Sequence, residues 1–385
     1  MVTWKGLCNI INRIKFLRKE KDLGVYIFAF SYLFLCSIFQ MYGFRLSKKS
    51  KLVVYSLIGI ILICISGFRY GLETDYWHYY NIFNGITTVE NIEPTFEVFI
   101  NIFKFVLNDY NLFLLFVAIV SLGSKIKIFY RFKYCFVVLF VYYLRFYVLF
   151  ELNAVRQGIA LTFALQALFY LMREDKKKYA TFTIIAILFH NSAAILLIIP
   201  LVRKLVLPLK TIIISIAVSL LFRYYVLTSI ITLSGKFIPQ VLQSNINLFR
   251  GIQWIINAND KISIDQTTEI IRVVVMLVAF YFLNKHRTGD KNYNFMFNVF
   301  FVGCLLNLCF VGFDTISYRL AAYFLVVEGM MLSLSLSDIQ LAYKTRINIV
   351  SLICVAVILA FDIYTFFNYM GTSETMIPYQ SFLFK

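Results

Sequence analysis

The chain has 385 residues, of which 61% are hydrophobic and only 15% are charged, and its formal net charge is +17. Soluble globular chains average about 45–50% apolar and about 25% charged residues, so this composition excludes a protein whose whole surface faces water. In a soluble protein the positive charge would indicate a polyanion partner. In a membrane protein it must first be placed relative to the bilayer, and we expect no nucleic-acid partner.

Largely apolar runs of about 20 residues are long enough to cross a bilayer as helices. Twelve candidate runs, some of them short, are bounded by charge, Pro or Gly: 23–44, 52–68, 111–124, 134–150, 153–172, 179–190, 191–202, 210–228, 268–284, 293–312, 315–336 and 347–366. The pair that meets at His190 is short for two full spans, and partial re-entry into the membrane is the alternative. The predicted fold class is all-α, a polytopic integral membrane protein with about twelve transmembrane helices.

Two longer segments, 69–110 and 229–267, separate the spans. Within the first, Phe and Ile residues recur at helical spacing between polar residues over 93–110, which predicts an interfacial helix. The predicted domain organisation is a basic N-terminal tail, 1–22, followed by a single multi-span membrane domain, 23–385.

The orientation follows from the distribution of Lys and Arg among the loops. One alternating set of loops holds most of the basic residues, among them Lys125, whereas the set that contains both longer segments holds few. The positive-inside rule therefore places the longer segments outward, on the periplasmic side. The basic tail conflicts with this topology: either one span is miscounted, or the tail lies on the membrane surface as an amphipathic helix.

Metal and redox chemistry find little support in the sequence. The three histidines do not lie at metal-ligand spacing, and the seven cysteines form no CxxC pair and fall mostly inside apolar runs. Such cysteines are typical of small core residues. We expect neither a metal site nor a cofactor.

The first polar cluster, residues 67–83, directly follows the second predicted span. It combines Arg69 and Asp75 with several tyrosines, among them Tyr76 and Tyr79. A cation, a carboxylate and aromatic faces together suit a phosphorylated sugar at the membrane interface. The alternative is an aromatic belt that contains an ordinary solvated ion pair.

The second cluster lies at the start of the span 153–172. Asn153, Arg156 and Gln157 fall at i, i+3 and i+4, which predicts that they share one helical face near the outward end. A guanidinium in this position could hold a pyrophosphate through two hydrogen bonds. The alternative is an arginine that extends towards the lipid headgroups.

The third cluster is His190, which interrupts an apolar stretch and is followed by Asn191 and Ser192. A histidine between two short hydrophobic runs could act as a general base or donate a hydrogen bond to phosphate. The alternative is an ordinary hydrogen-bond partner between helices.

The fourth cluster lies at the start of the span 315–336, where Tyr318, Arg319 and Tyr323 are predicted to share one helical face. Glu328 lies deeper in the same run, and we interpret it as structural or as a partner of Arg145. A charged group at membrane depth costs about 2.5 to 3.5 kcal/mol on insertion scales, so it requires a partner or a function. Further outward candidates near span ends include Arg272.

Taken in order, these motifs resemble the EpsG/Wzy family of bacterial O-antigen and exopolysaccharide polymerases. The resemblance rests on GFRYGLETDYWHYY, on LNAVRQGIALTFALQAL followed by a basic loop and ILFHNSAAILLIIPL, and on DTISYRLAAYF, over about residues 55 to 335. The motif positions that match are Arg69, Asp75, Tyr79, Arg156, Gln157, His190, Arg319 and Tyr323.

The resemblance implies a glycosyltransferase similar to the integral-membrane GT-C-like enzymes, at the outer face of the bacterial cytoplasmic (inner) membrane. The implied donor is a growing glycan on undecaprenyl diphosphate, and the acceptor is a lipid-linked repeat unit. A chain-length regulator and a flippase are the implied protein partners. Arg156 and Arg319 would stabilise the leaving diphosphate with help from Arg69, and Asp75 or His190 would deprotonate the acceptor hydroxyl.

Three alternative functions remain open. A lipid-linked oligosaccharide flippase or other transporter would have polar groups along a path through the bilayer, whereas the deep positions here are mostly apolar apart from Arg145 and Glu328. A membrane acyltransferase would use His190 as its base. An O-antigen ligase would act on the same glycan.

Overall fold

A computed structural model describes residues 23–44, 46–86, 92–227, 266–285, 290–311, 314–342, 349–372, 376 and 378–384. Within these ranges all helices and turns are consistent with the all-α prediction, and the only strand-like feature is an isolated bridge near the C-terminus. The basic tail and almost all of the outward segment 229–267 lie outside the described residues, so the predictions made for them stay predictions.

The helices follow one another with short connections. Their bounds are α1 Gly24–Met41, α2 Lys48–Gly67, α3 Glu73–Phe83, α4 Pro94–Val106, α5 Tyr110–Phe129, α6 Cys135–Tyr142, α7 Val155–Met172, α8 Lys176–Phe189, α9 Ile199–Val202, α10 Leu209–Leu221, α11 Gln266–Lys285, α12 Lys291–Cys309, α13 Asp314–Leu325, α14 Glu328–Ala342 and α15 Ile349–Thr372. A π-helix, Tyr143–Asn153, continues α6, and a 3₁₀-helix, Asn191–Ile198, precedes α9.

Eight helical stretches in the described part of the chain are long and apolar enough to cross a membrane. They are Gly24–Met41, Lys48–Gly67, Tyr110–Phe129, Cys135–Asn153, Val155–Met172, Lys291–Cys309, Ser317–Ser337 and Val350–Gly371. Each coincides with one of the twelve predicted runs, so a multi-pass membrane protein is confirmed. The other four predicted runs coincide with helices outside this set, and the total of twelve stays a prediction.

Residue contacts divide the chain into two compact units. The first contains the chain up to Ala194, Glu328–Ile349 and the residues from Leu359 onward. In this unit α6 is central, because all eight of its residues are buried and it packs against α1 and α14. The packing against α14 is close: a Cβ added to Gly329 would lie 3.0 Å from the Val138 carbonyl oxygen, so glycine permits the approach.

The second unit contains Ile195–Val327 and Val350–Ile358. Its best-packed pair is α12 and α13, and α11 also packs against α12. The Asn298 side-chain amide donates hydrogen bonds to the carbonyl oxygens of Val202 and Leu205, at 2.9 and 2.8 Å, and so fixes the end of α9 against α12. Of these acceptors, the Val202 carbonyl belongs to the last turn of α9, where helix carbonyls have no partner within the helix, and Leu205 lies in the connection that follows.

The helical conformation is interrupted between the π-helix and α7. Asn153 ends the π-helix, Ala154 adopts φ −75° and ψ 64°, and α7 begins at Val155. The prediction that Asn153, Arg156 and Gln157 share one helical face is therefore wrong for Asn153, because the i, i+3 spacing assumes an uninterrupted α-helix. Arg156 and Gln157 lie in the first turn of α7.

Candidate active site

A single carboxylate, Glu93, joins two of the predicted site residues in the first unit. Glu93 directly precedes α4, where Pro94 occupies the first helical position. Arg156 Nη1 lies 2.5 Å from Glu93 Oε2, and Arg156 Nε donates a hydrogen bond of 3.2 Å to the Tyr79 hydroxyl. The guanidinium also lies over the Tyr79 ring, 5.8 Å from its centroid. Arg156 is therefore held both by a charge and by an aromatic residue.

The other oxygen of the same carboxylate faces His190. Helix α8 ends at Phe189, and His190 is extended, with φ −158° and ψ 116°, before the 3₁₀-helix begins. This break turns the imidazole towards α4: His190 Nδ1 lies 2.8 Å from Glu93 Oε1. The Asn191 backbone N–H donates to the same oxygen at 3.3 Å. The helical runs predicted over 179–190 and 191–202 are thus separated at His190, and their placement as two short spans or as a re-entrant segment stays a prediction.

The charge state of Glu93 follows from these contacts. Burial alone would raise the pKa of its carboxyl, but the His190 hydrogen bond and the Arg156 charge outweigh burial and lower the pKa to about 2. Glu93 is therefore ionised at neutral pH. Burial raises the pKa of Tyr79 against the opposing charge of Arg156, so the Tyr79 phenol stays protonated.

The sequence reasoning missed Glu93. The sequence pattern identifies it only as part of an amphipathic segment. Its partners Arg156 and His190 are 63 and 97 residues away in the chain, so no local pattern predicts the contacts. The available signal was a carboxylate immediately before a proline at the start of a helix whose other face is apolar.

A second buried cluster supports the turn that carries Arg156. Lys125 is completely buried, and its Nζ donates to Glu151 Oε1 at 2.6 Å, to Ser121 Oγ at 2.8 Å and to the Gly158 carbonyl oxygen at 2.8 Å. All three ammonium donors are thereby used. Glu151 precedes the chain break and Gly158 follows it, so one lysine of α5 ties together both sides of the turn.

This cluster corrects the topology count, which placed Lys125 in a basic loop. Lys125 lies inside α5 and turns into the protein, where it neutralises Glu151. The helices are close enough for this because residue 158 is glycine: an added Cβ there would lie 2.3 Å from the Phe150 carbonyl oxygen. Any side chain at this position would push α7 away from the π-helix.

Arg69 lies beneath the C-terminal end of the chain. It is 2% exposed, and its Nη1 donates to the Ser66 carbonyl oxygen at 2.5 Å. Arg69 forms an isolated antiparallel bridge with Ser381, and the Tyr379 hydroxyl donates to the Ile65 carbonyl oxygen at 3.0 Å. Residues near the C-terminus thus pack on the first sequence motif.

The tyrosines of the first motif form an aromatic cluster with α5. Tyr76 is buried, and its backbone carbonyl accepts a hydrogen bond of 3.0 Å from the Tyr110 hydroxyl. Burial and the nearby Tyr70 raise the pKa of Tyr76 to about 12, against the opposing charge of Arg69. Asp75 lies in α3 and is half-buried. Tyr76 therefore remains protonated and can donate a hydrogen bond, but it cannot act as a base at neutral pH.

The remaining predicted site residues lie in the second unit. Arg272 is buried in α11 and pairs with Glu269 one turn earlier, with 2.9 Å between Nε and Oε2. The Tyr318 hydroxyl donates to the same Glu269 oxygen at 3.4 Å. Arg319 is half-buried in α13, and Tyr323, one turn further along, is completely buried. Glu269 thus brings Arg272 and Tyr318 together within this unit.

The deep pair predicted between Arg145 and Glu328 is confirmed. Arg145 Nη1 lies 3.5 Å from Glu328 Oε2, and Asp362 joins them with its Oδ1 3.2 Å from the same nitrogen. All three side chains are buried. We interpret the group as structural, because one guanidinium offsets part of the charge of two buried carboxylates inside the first unit.

Gln157 and Asn153 complete the set of predicted residues. Gln157 is 2% exposed, whereas Asn153 is half-buried at the end of the π-helix. Of the residues predicted in the first unit, the structure therefore brings Tyr79, Arg156 and His190 together around Glu93. In the described part of the chain, no group of three His, Cys, Asp or Glu side chains could hold a metal ion.

The fold and this cluster define the class of protein: a multi-pass, all-helical membrane protein with an arginine and a histidine held on one ionised carboxylate. A family model for the EpsG family matches residues 52–381, and the chain belongs to this family. Membership confirms the resemblance inferred from the motifs and indicates a membrane protein of the polysaccharide polymerase type. No curated protein and no solved structure matches the chain.

Proposed function

We propose that the protein is an O-antigen or exopolysaccharide polymerase. It transfers a growing glycan from undecaprenyl diphosphate to a lipid-linked repeat unit at the outer face of the bacterial cytoplasmic membrane. Family membership supports the reaction class. The observation that carries the proposal to named residues is that Arg156 and His190, each with 19% of its side chain exposed, share the carboxylate of Glu93.

The reaction assigns a task to each residue type. The acceptor hydroxyl oxygen attacks the anomeric carbon of the donor sugar, the bond between that carbon and the diphosphate oxygen breaks, and undecaprenyl diphosphate leaves with the electron pair. The hydroxyl proton passes to a base on the protein and from there to water. Negative charge grows on the leaving diphosphate, and a preorganised guanidinium stabilises it.

Arg156 is the residue that we assign to the leaving diphosphate, since its guanidinium is partly exposed and already fixed by Glu93 and Tyr79. His190 or Asp75 is the base for the acceptor hydroxyl. We also assign Arg319 to stabilisation of the leaving diphosphate, with Arg69 assisting, and this assignment rests on the sequence motifs in which they lie. Tyr76, Asn153, Gln157, Tyr318, Tyr323 and Arg272 are proposed substrate-binding residues on the same basis.

A transporter is the main competing function, because charged side chains at membrane depth often line transport paths. In the described spans, however, Lys125 uses its three donors on Ser121, Glu151 and Gly158, and Arg145 lies between two carboxylates. The Lys125–Glu151 pair is neutral, and Arg145 offsets part of the charge of its two carboxylates, so both groups join helices within the first unit. They therefore favour a structural role at depth, with the partly exposed cluster as the working site.

The surface glycan of a deletion strain tests the proposal. Complementation with the wild-type gene is expected to restore the ladder of chain lengths, whereas Arg156→Ala should confine the glycan to single repeat units. Arg173→Ala is the matched control, because Arg173 is exposed just beyond the other end of α7. Immunoblots of the membrane fraction check that each variant accumulates. A normal ladder with Arg156→Ala would contradict the assignment.

A further inference from the structure

The Glu93 carboxylate uses both of its oxygens on groups that the proposed reaction needs. Oε2 pairs with Arg156 Nη1 at 2.5 Å, and Oε1 pairs with His190 Nδ1 at 2.8 Å. The Asn191 backbone N–H donates to Oε1 as well, at 3.3 Å. The three side chains come from the start of α4, the first turn of α7 and the break after α8. One carboxylate thus sets the relative positions of a cation and an imidazole that belong to different helices.

The exposures of the three side chains show which of them can meet a substrate. The Glu93 side chain is 7% exposed, whereas those of Arg156 and His190 are each 19% exposed. A glycan or diphosphate that approaches the cluster therefore reaches the guanidinium and the imidazole before the carboxylate. Glu93 lies behind them.

The protonation pattern of His190 follows from its partner. An ionised carboxylate can only accept hydrogen bonds, so the proton of a neutral imidazole must be on Nδ1, which faces Glu93. The other ring nitrogen, Nε2, then has a free lone pair and can accept a proton. A carboxylate on one nitrogen and a reacting hydroxyl on the other is the arrangement by which a buried carboxylate orients a histidine base.

We propose that Glu93 is a positioning residue of the polymerase: it fixes His190 as the general base through Nε2 and holds Arg156 beside it. This inference rests on the proposed polymerase function. His190 Nε2 takes the acceptor proton while the new carbon–oxygen bond forms and the bond to the diphosphate breaks. The imidazolium is stabilised by Glu93, and the diphosphate leaves next to Arg156. His190, and not Asp75, is therefore the base.

A merely structural role for Glu93 makes a different prediction. A carboxylate that only ties α4 to α7 and α8 would lower the stability of the protein when removed, and activity would fall in proportion to the folded fraction. A positioning carboxylate affects the chemical step of a folded enzyme. The two roles are separated by kcat and KM, measured on protein whose fold has been checked by thermal unfolding.

The experiment uses the purified full-length protein in detergent, with lipid-linked repeat units extracted from the deletion strain as the substrate. Glu93→Gln keeps the shape of the side chain but loses its charge. We expect kcat to fall about 100-fold or more, in the range found for general acid–base groups, with KM changed less than about threefold. Glu97→Gln, one turn further along α4, is the matched control and should retain wild-type kcat.

Two further variants keep the test decisive if Glu93→Gln is poorly recovered. With Glu93→Ala, added formate should restore activity at least about tenfold, because it supplies a carboxylate to His190 and Arg156. In the background of His190→Ala, the additional Glu93→Gln change should cost less than it does alone, because only the effect of Glu93 on Arg156 remains.

The outcomes separate the two proposals. If the wild type elongates the repeat units and Glu93→Gln does so within about threefold of its kcat, the positioning role is wrong and the polymerase proposal stands. Loss of kcat without formate rescue and with full additivity to His190→Ala also overturns the positioning role. If the wild-type protein forms no product longer than the single repeat units supplied, the polymerase function itself is wrong.

Discussion

Glu93 and Arg156, which are 63 residues apart in the chain, form an ion pair of 2.5 Å in which the arginine is the more exposed partner. The buried carboxylate orients the guanidinium, and the Tyr79 hydroxyl accepts a second hydrogen bond from it. An enzyme that stabilises a leaving diphosphate benefits from a cation that does not have to reorganise during the reaction.

Arg156→Lys is expected to retain a small part of the activity. Lysine keeps the positive charge but loses the planar fork that bonds Glu93 and Tyr79 at the same time. We expect elongation to fall about tenfold, against about 100- to 1,000-fold for Arg156→Ala. The measurement is kcat on lipid-linked repeat units. Equal kcat values for the lysine and alanine variants would show that the positive charge by itself contributes nothing to elongation.

The pH dependence of stability tests the state of Glu93. Because its pKa in the folded protein is lowered to about 2 from 4.5, ionisation stabilises the folded state above about pH 4.5, and this contribution is lost as the pH falls towards 2. The melting temperature of Glu93→Gln should therefore lie below that of the wild type at pH 7 and at pH 5, and the difference should shrink at lower pH. A difference that is already absent at pH 5 would contradict the ion pair.

The Lys125 cluster is expected to behave as a buried ion pair. Lys125→Met and Glu151→Gln each leave an uncompensated or poorly bonded partner and should destabilise the protein by about 3 to 5 kcal/mol. The double variant Lys125→Met with Glu151→Gln should cost less than the sum of the two single variants, because neither charge remains. Thermal unfolding in detergent measures this cycle.

Lys127→Met is the control for that cycle, since Lys127 is exposed on the same helix. It should leave the melting temperature unchanged within about 1 °C, as expected for a surface substitution. Strict additivity of the Lys125 and Glu151 substitutions would show that the two side chains do not interact.

The Arg145 group predicts an asymmetry between its members. Asp362→Asn still leaves Glu328 beside Arg145, whereas Arg145→Met leaves two buried carboxylates without their cation. We therefore expect Arg145→Met to reduce the amount of folded protein in the membrane far more than Asp362→Asn. Fluorescence-detected gel filtration of detergent extracts compares the two, and equal losses would argue against the shared role of Arg145.

Most of the helical architecture could be predicted from the sequence, because the length of an apolar run is a local property. The partnership of Arg145 with Glu328 was also predictable, since isolated charges in apolar runs have few possible partners. Lys125 was misplaced because counting basic residues cannot tell a lysine in a loop from one turned into the protein near the end of a helix. Asn153 was misplaced because helical spacing does not reveal a π-helix or the break at Ala154.

The candidate site was only half predictable. Arg156 and His190 stood out as polar residues within apolar runs, and the motif resemblance supported them. Glu93 did not stand out, because its role depends on contacts between three distant segments and one of those contacts requires the break in the helix at His190. Sequence patterns report local structure well, but they do not report which side chains meet in the folded protein.

Elongation of lipid-linked repeat units by the purified protein in detergent tests the central claim most directly. No sealed membrane is present, so a flippase cannot generate a signal, and an acyltransferase or a ligase would not lengthen the lipid-linked glycan. We predict that the wild type converts single repeat units into a ladder of longer lipid-linked products and that Arg156→Ala does not. The account is contradicted if the folded wild-type protein forms no product longer than a single repeat unit. It is also contradicted if the Arg156→Ala variant elongates at the wild-type rate.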